Sequence, residues 1–364
     1  MSVPTGRRAA VAAGREPGSA RRTAAGAGLS AGRRRRGRRR IIVIAALSVA
    51  IAAVFAALLM FGHTFYGPGE VWRVVLGQDV DGASFTVGTL RLPRAVLGVL
   101  AGLSFGMAGV AFQTMLRNPL ASPDIIGISA GASAAAAFAI IVLGLSGSQV
   151  SVFAIVAGLA IAMLIYLLSY KSGVLGTRLI LIGIGIAAML ESVIAYLLSR
   201  AGEWDLQEAM RWLSGSLNGA RWEDILPLAI ALLVLTPLLL GQARNLAILQ
   251  LGDDAASALG VRVNLSRVVI VVSAVGLISF ATAAAGPIAF VAFLSGPIAA
   301  RMVGPHGSLL IPAALTGALL VLVADFCGQW LLGTRYPVGV VTGALGAPFL
   351  LYLIISSNRK GGSL

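Results

Sequence analysis

Apolar stretches of membrane-spanning length recur along most of the chain and are separated by short polar segments. A helix rises about 1.5 Å per residue, so about 20 apolar residues cross the hydrocarbon core of a bilayer. The pattern therefore predicts an all-α polytopic membrane protein of about ten transmembrane helices. The predicted spans are residues 41–61, 92–115, 125–145, 151–168, 179–198, 225–240, 268–284, 287–302, 309–332 and 338–356.

The composition supports this class and excludes a soluble protein. Of the 364 residues, 58% are hydrophobic and 12% charged, and the mean hydropathy is +0.91. Cys327 is the one cysteine, and His63 and His306 lie far apart, so neither a disulfide framework nor a metal site is predicted. The chain shows no phosphate-binding loop and no catalytic arrangement of side chains, so any energy source lies on another subunit or in an ion gradient.

The net charge of +14 is concentrated at the N-terminus. Twelve arginines and one glutamate precede residue 41, in a segment rich in alanine, glycine and serine. Because such a segment cannot bury a core, residues 1–40 are predicted to form a disordered cytoplasmic arm that contacts anionic lipid. Residues 41–357 form the predicted transmembrane domain, and residues 358–364 form a short cytoplasmic tail. The positive-inside rule thus places both termini in the cytoplasm.

Glycine recurs at four-residue spacing in two of the predicted spans. Gly98, Gly102 and Gly106 lie in the second span, and Gly127 and Gly131 lie in the third. Small residues at this spacing let helix backbones approach closely in a bilayer. These glycines are therefore predicted to mediate helix packing, with glycine that is merely tolerated as the alternative.

The spans 268–284 and 287–302 meet with almost no loop between them. The sequence Gly-Pro-Ile-Ala occurs twice there, beginning at Gly286 and at Gly296. Pro287 and Pro297 remove backbone donors, so a broken helix is predicted at these four residues, as is common along transport pathways. At about 1.5 Å per residue, the second span reaches only about 24 Å. One re-entrant unit is the alternative, but it would place the C-terminal cations outside.

Two acidic residues, Glu191 and Asp325, fall within predicted spans. A charge at membrane depth costs at least about 2.5 kcal/mol on insertion scales, so each is expected to face a partner, a cavity or a membrane surface. Asp325 lies near the predicted outer end of its span. A hydrogen bond to a neighbouring loop is therefore the alternative to a functional role for this carboxylate.

The longest predicted cytoplasmic loop, residues 241–266, contains a short helix. Asp253 and Asp254 stand at its start, where the helix dipole favours negative charge, and Gly260 can end it. The helix is predicted to project into the cytoplasm. Since it carries no chemistry of its own, its role depends on what it contacts.

Several strings together closely resemble one family, the permease subunits of iron-siderophore and vitamin B12 ABC importers of the FecCD/BtuC type. They are RLPR at 91–94, QTMLRNPLASPDIIG at 113–127, ALG at 258–260, GPIAFV at 286–291 and PVGVVTGALGAP at 337–348. The resemblance covers residues 41–357. Within the family, SPDIIG at 122–127 and ADFCGQ at 324–329 look most like a permease of ferric-catecholate (enterobactin-type) systems.

This resemblance implies a ten-helix type II ABC importer permease in the bacterial cytoplasmic membrane, working by alternating access. The expected partners are a sister permease in a heterodimer, two ATPase subunits and an extracytoplasmic siderophore-binding lipoprotein. This chain would be no enzyme and hold no cofactor, since ATP and magnesium would bind the ATPases. A vitamin B12 or haem importer is the alternative within the class. An ion-coupled secondary transporter and a non-transporting membrane scaffold are the alternatives outside it.

The resemblance also implies roles for individual residues. Arg91 and Arg94 match outer-surface arginines that receive acidic residues of the binding protein, although snorkelling at a helix start is the alternative. Gln329 stands where the vitamin B12 relative has a third arginine, and Arg335 is near enough in sequence to replace it. The loop helix is similar to the coupling helix that seats in a groove of the ATPase. Its residues are Asp253, Asp254, Ala255, Ala258, Leu259 and Gly260.

Overall fold

The computed structural model describes residues 17–123, 127–169, 176–304 and 307–358. The secondary structure of these residues is helical, with turns between the helices. A π-helix, Ser84–Arg91, leads directly into α3. The helices are α1 (Pro17–Met60), α2 (Pro68–Val75), α3 (Leu92–Met115), α4 (Ile128–Ile141), α5 (Ser148–Ser169), α6 (Gly176–Arg200), α7 (Glu203–Leu213), α8 (Trp222–Gly241), α9 (Ala243–Leu249), α10 (Asp253–Ala258), α11 (Val263–Ala285), α12 (Val291–Val303), α13 (Leu310–Trp330) and α14 (Val338–Asn358).

The chain divides into two units, Met1–Ile42 and Val43–Leu364. The first unit contains the whole of the arginine-rich arm. Its residues 17–42 are helical, and residues 1–16 lie outside the described residues. No observation tests whether the arm contacts lipid or lacks order in the membrane-bound protein, so its role stays a prediction.

The helices confirm the predicted fold class. Among the described residues, seven helical segments are long and apolar enough to cross a membrane. The shorter apolar segments Ile128–Ile141, Val291–Val303 and Val338–Tyr352 fall on the other three predicted spans. Each predicted span therefore has its own helix. The helix of the third predicted span is α4, and it begins at Ile128, later than predicted. Residues 124–126 of its motif lie outside the described residues.

Four helical segments were not predicted. They are α2, α7, α9 and the π-helix, all of them short. In α2, Pro68 occupies the first turn and the carboxylate of Glu70 accepts a hydrogen bond from the N–H of Gly67 at 2.7 Å. This bond is the half of a capping box that a glycine allows, and it marks the start of a helix whose eight residues are too few for a hydropathy pattern to reveal.

Helix α3 lies at the centre of the second unit and packs against α11, α12 and α13. Its glycines face α13: a Cβ at Gly102 would lie 2.5 Å from the Cα of Ala318, and one at Gly106 would lie 3.2 Å from the Cα of Ala314. On α4, a Cβ at Gly131 would lie 2.8 Å from Ile161 of α5. Larger side chains at these positions would force the helices apart, at a cost of about 1–3 kcal/mol or more.

The chain is broken between α11 and α12, at residues 286–290. Gly286 has φ +70°, and a Cβ there would lie 2.5 Å from the carbonyl oxygen of Trp212. The N–H of Ser216 donates to the carbonyl of Ala285 at 2.8 Å, and the N–H of Gly339 donates to the carbonyl of Gly215 at 3.1 Å. The break is thus packed against the loop that follows α7, and that loop in turn bonds the first turn of α14. Helix α12 has 13 residues, so it spans only about 20 Å.

Pro297 lies inside α12, where it removes a backbone donor. Its missing N–H would have bonded the carbonyl of Phe293, four residues earlier. The side-chain amide of Gln113, from α3, donates to that carbonyl at 2.9 Å. Gly296 leaves room for the amide, because a Cβ there would overlap its oxygen. The side chain of Gln113 in α3 therefore supplies the hydrogen bond that the backbone of α12 lacks.

Candidate docking and coupling sites

We call the end of the second unit where α3 begins the outer end, and the end where α3 stops the cytoplasmic end, after the predicted topology. At the outer end, a cavity of about 430 Å³ lies between α3, α13 and the loops beside them. All four predicted docking residues line this outer cavity: Arg91, Arg94, Gln329 and Arg335. The fold therefore brings together residues that are distant in sequence.

Arg91 bonds to backbone carbonyls at the end of α1. Its guanidinium donates to the carbonyl oxygens of Leu59 at 2.8 Å, Met60 at 3.0 Å and Thr64 at 2.8 Å. The last carbonyls of a helix lack intrahelical donors, so Arg91 caps α1. These partners are neutral, and no ion pair to Arg91 occurs among the described residues. Its positive charge is thus uncompensated at the cavity wall.

Arg94 is paired with Asp325, the acid that the sequence places inside the ninth span. Its Nε donates to Oδ2 of Asp325 at 2.8 Å, and a terminal nitrogen donates to Oδ1 at 2.6 Å. The other terminal nitrogen donates to the side-chain oxygen of Asn218. The Asp325 side chain is 0% exposed and that of Arg94 is 18% exposed. A buried carboxylate needs such a partner, because an uncompensated charge in this environment is strongly destabilising.

Beside Arg91 and Arg94, the outer cavity is also lined by Arg335, His63, Trp330 and Gln329. Arg335 forms a hydrogen bond with Nε2 of His63, and its guanidinium lies 5.8 Å from the ring centre of Trp330. The Nε2 of Gln329 is buried and has no partner within the described part of the chain. Gln329 thus lines the cavity, while its amide donor is buried without a partner among the described residues.

Glu191, the other acid within a span, lies away from the outer cavity. It is exposed on α6, and the described residues offer it no hydrogen bond or ion pair. Helix α6 packs against α4 and α5, but only 11% of its most apolar window is buried. The structure does not bring Glu191 together with Asp325.

At the cytoplasmic end, α10 begins at Asp253, as the sequence indicates. The carboxylate of Asp253 accepts hydrogen bonds of 2.8 and 2.7 Å from Arg267 of α11. Arg117, just beyond the end of α3, lies 3.4 Å from the same carboxylate. Asp253 therefore connects α10 to two long helices.

The end of α10 leaves an apolar side chain in the open. Gly260 has φ +82°, which suits glycine after a helix, and the N–H of Val261 donates to the carbonyl of Ala256 at 3.0 Å. Ala256 is buried, whereas Leu259 is 60% exposed. Asp254 and Ala258 are also exposed, so one face of α10 is unpartnered within the described residues.

Sequence reasoning did not select Asn218, Arg117 or Arg267 as site residues. Arg117 and Arg267 lie at the ends of predicted spans on the same side as Asp253, and opposite charge was the available signal. Asn218 carries no charge and lies in a loop. No sequence signal of ours indicated that it bonds Arg94.

The fold and the two ends define a multi-pass transport permease. Residues 48–356 match the model of the FecCD transport family, and the chain belongs to this family. The fold is that of a type II ABC importer permease.

Two relatives are similar to this chain over most of its length. The chain is 38% identical over 313 residues to the achromobactin transport system permease protein of Dickeya dadantii, covering 85% of this chain and 90% of that protein. It is also 38% identical over 323 residues to the ferric enterobactin transport system permease protein of Escherichia coli, covering 87% of this chain and 97% of that protein.

A solved structure supports the same fold. It is described as an inward-facing conformation of an ABC transporter assigned to the metal-chelate type, with a TM-score of 0.77 and 26% sequence identity. The match covers 86% of this chain and 99% of that chain. The helical bundle and both of its ends are therefore within the shared architecture.

Proposed function

We propose that this protein is the permease subunit of an ATP-driven importer that carries ferric siderophores, with the catecholate type favoured, across the bacterial cytoplasmic membrane by alternating access. One observation carries the proposal. The central helix α3 begins beside a cationic outer cavity and ends beside the anchored helix α10. Helix α3 thus connects a site suited to an acidic binding protein with a site suited to an ATPase subunit.

The proposed assembly is a heterodimer with a sister permease, together with two ATPase subunits that bind ATP and magnesium. So little of α6 is buried within the chain that its apolar surface is available to lipid or to a second membrane-embedded partner. The relatives named for achromobactin and ferric enterobactin support an iron chelate as cargo. Catecholate chemistry rests on the two motifs at 122–127 and 324–329 alone.

At the outer end, we propose that carboxylates of an extracytoplasmic siderophore-binding lipoprotein dock in the outer cavity. Arg91 and Arg335 offer charges that no carboxylate of the described residues neutralises. Guanidinium groups bind carboxylates strongly when two bonds form at once. Arg94 is already bonded in this way to Asp325, so its docking role is the weakest of the four.

At the cytoplasmic end, we propose that α10 is the coupling helix. Leu259 supplies an exposed apolar contact for an ATPase groove, while Asp253 holds the helix to α3 and α11. Closure of the ATPases would then move α10 and tilt the bundle between its two states. The alternative is that α10 only connects α9 and α11.

Purification with its partners, followed by transport, tests this proposal. The tagged chain is isolated from its native membrane, its companions are identified, and the complex is reconstituted in liposomes for uptake of radioactive iron bound to a catecholate siderophore. We expect an ATPase, a sister permease and uptake that requires ATP. Preference for a hydroxamate, haem or vitamin B12 would refute the catecholate assignment, and uptake driven by an ion gradient without ATP would refute the importer class.

A further inference from the structure

Each of the three guanidinium nitrogens of Arg94 has a partner within the chain. Two of its nitrogens bond both oxygens of Asp325, at 2.8 and 2.6 Å, and the third bonds Asn218. Arg94 belongs to α3, Asp325 to α13, and Asn218 to the loop between α7 and α8. An arginine with these contacts has no nitrogen left without a partner.

The other two arginines of the outer cavity have no carboxylate partner among the described residues. Arg91 bonds carbonyls and Arg335 bonds an imidazole, so neither charge is neutralised. Among the described residues that line the cavity, Asp325 is the only acid. It neutralises Arg94 and no other arginine of the cavity wall.

We propose that Asp325 is an internal counter-ion that withdraws Arg94 from docking, so that an incoming carboxylate is received by Arg91 and Arg335. Asp325 is then a positioning residue that sets the charge of the outer cavity. The inference rests on the proposed docking of an acidic binding protein at this cavity.

The proposal gives the two partners of the ion pair opposite effects on docking. Replacing Asp325 by Asn releases the charge of Arg94 into the cavity, which strengthens attraction for an acid. Replacing Arg94 by Gln leaves the carboxylate of Asp325 unpaired, which repels an acid. Replacing both restores the original charge of the cavity, so docking returns. If Arg94 itself bonded the partner, removing Asp325 would not restore docking to an Arg94 variant.

The test is a double-mutant cycle on the complete importer in lipid nanodiscs. The probe is the binding lipoprotein that co-purifies with the importer, prepared without its lipid anchor, and the readout is its Kd at low and high salt. We expect Asp325→Asn to bind about threefold to tenfold tighter at low salt, Arg94→Gln to bind at least about fivefold weaker, and the double variant to stay within about twofold of the parent. Asp81→Asn is the matched control, because this exposed acid has the same charge and no partner within the described residues.

The outcomes separate this inference from the docking proposal. Arg335→Glu tests docking itself: an unchanged Kd would mean that the acidic partner does not use this cavity. If Arg335→Glu weakens docking while the double variant is as weak as Arg94→Gln, docking stands and the counter-ion role of Asp325 is wrong. Should Arg94→Gln fail to assemble with its ATPase, Asp325→Asn decides, since unchanged or weaker binding would overturn the inference.

Discussion

The two ends of the bundle each contain an arginine–aspartate cluster, and the clusters differ in their surroundings. At the outer end, Asp325 is 0% exposed and pairs with Arg94 alone. At the cytoplasmic end, the side chain of Asp253 is 34% exposed and has within reach both Arg267, which is 6% exposed, and Arg117, which is 45% exposed. Desolvated pairs break at high cost, whereas solvated pairs exchange partners cheaply. The outer cluster thus buries its acid, whereas the cytoplasmic cluster buries one of its arginines and leaves the acid and the other arginine partly solvated.

The strongest way to break this comparison is to remove the cation of the buried pair. Arg94→Leu leaves the carboxylate of Asp325 without a charged partner, so we expect a loss of about 3–5 kcal/mol in the free energy of unfolding. Samples are heated in detergent, and size-exclusion chromatography then measures the fraction that remains folded in parent and variant. Arg94→Leu combined with Asp325→Leu should recover most of it, and a double variant as unstable as the single one would show that the pair is not the cause.

The next largest effect is expected at the exposed apolar contact of α10. Leu259→Asp places a charge where the ATPase groove is proposed to receive an apolar side chain, so transport per ATP hydrolysed should fall about tenfold, equivalent to about 1.4 kcal/mol. Simultaneous assays of ATP hydrolysis and iron uptake in liposomes measure the ratio. Leu251→Asp is a useful control, since Leu251 is similarly exposed but precedes the helix. Equal effects of both changes would argue that α10 has no special role.

The smallest effect is expected when the cytoplasmic cluster loses its acid. Asp253→Asn removes the carboxylate that links α10 to α11 and α3. Because that carboxylate is 34% exposed and asparagine keeps an oxygen that can accept from Arg267, the loss in the free energy of unfolding should be about 1–2 kcal/mol, below that of Arg94→Leu. High salt should lower the stability of the parent and leave the variant nearly unchanged. A loss as large as that of Arg94→Leu would erase the difference between the two clusters.

Sequence reasoning predicted the membrane architecture because length and hydropathy determine it locally. It missed α2 and α7 because short helices with mixed faces leave no long apolar window. It singled out both Arg94 and Asp325 but could not pair them, since 231 positions separate them and only the packing of α3 on α13 makes them neighbours.

The candidate coupling helix was easier to predict than the outer cavity. Its start at Asp253 and its glycine at 260 are local signals that lie within a few residues of each other. The contacts of Arg91 depend instead on where α1 ends, and those of Asn218 on a loop conformation. Three-dimensional placement, and not residue identity, decides which arginine of the cavity remains available.

The bond from Gln113 to the carbonyl of Phe293 limits the order in which substitutions at positions 113 and 297 can accumulate. If Gln113 changed first, the carbonyl left bare by Pro297 would be buried without a donor, a state that costs about 1–3 kcal/mol. If Pro297 changed first, the new backbone N–H would satisfy that carbonyl and make the glutamine dispensable. The two positions are therefore expected to co-vary among descendants of this chain. The proline is expected to be lost first and the glutamine afterwards.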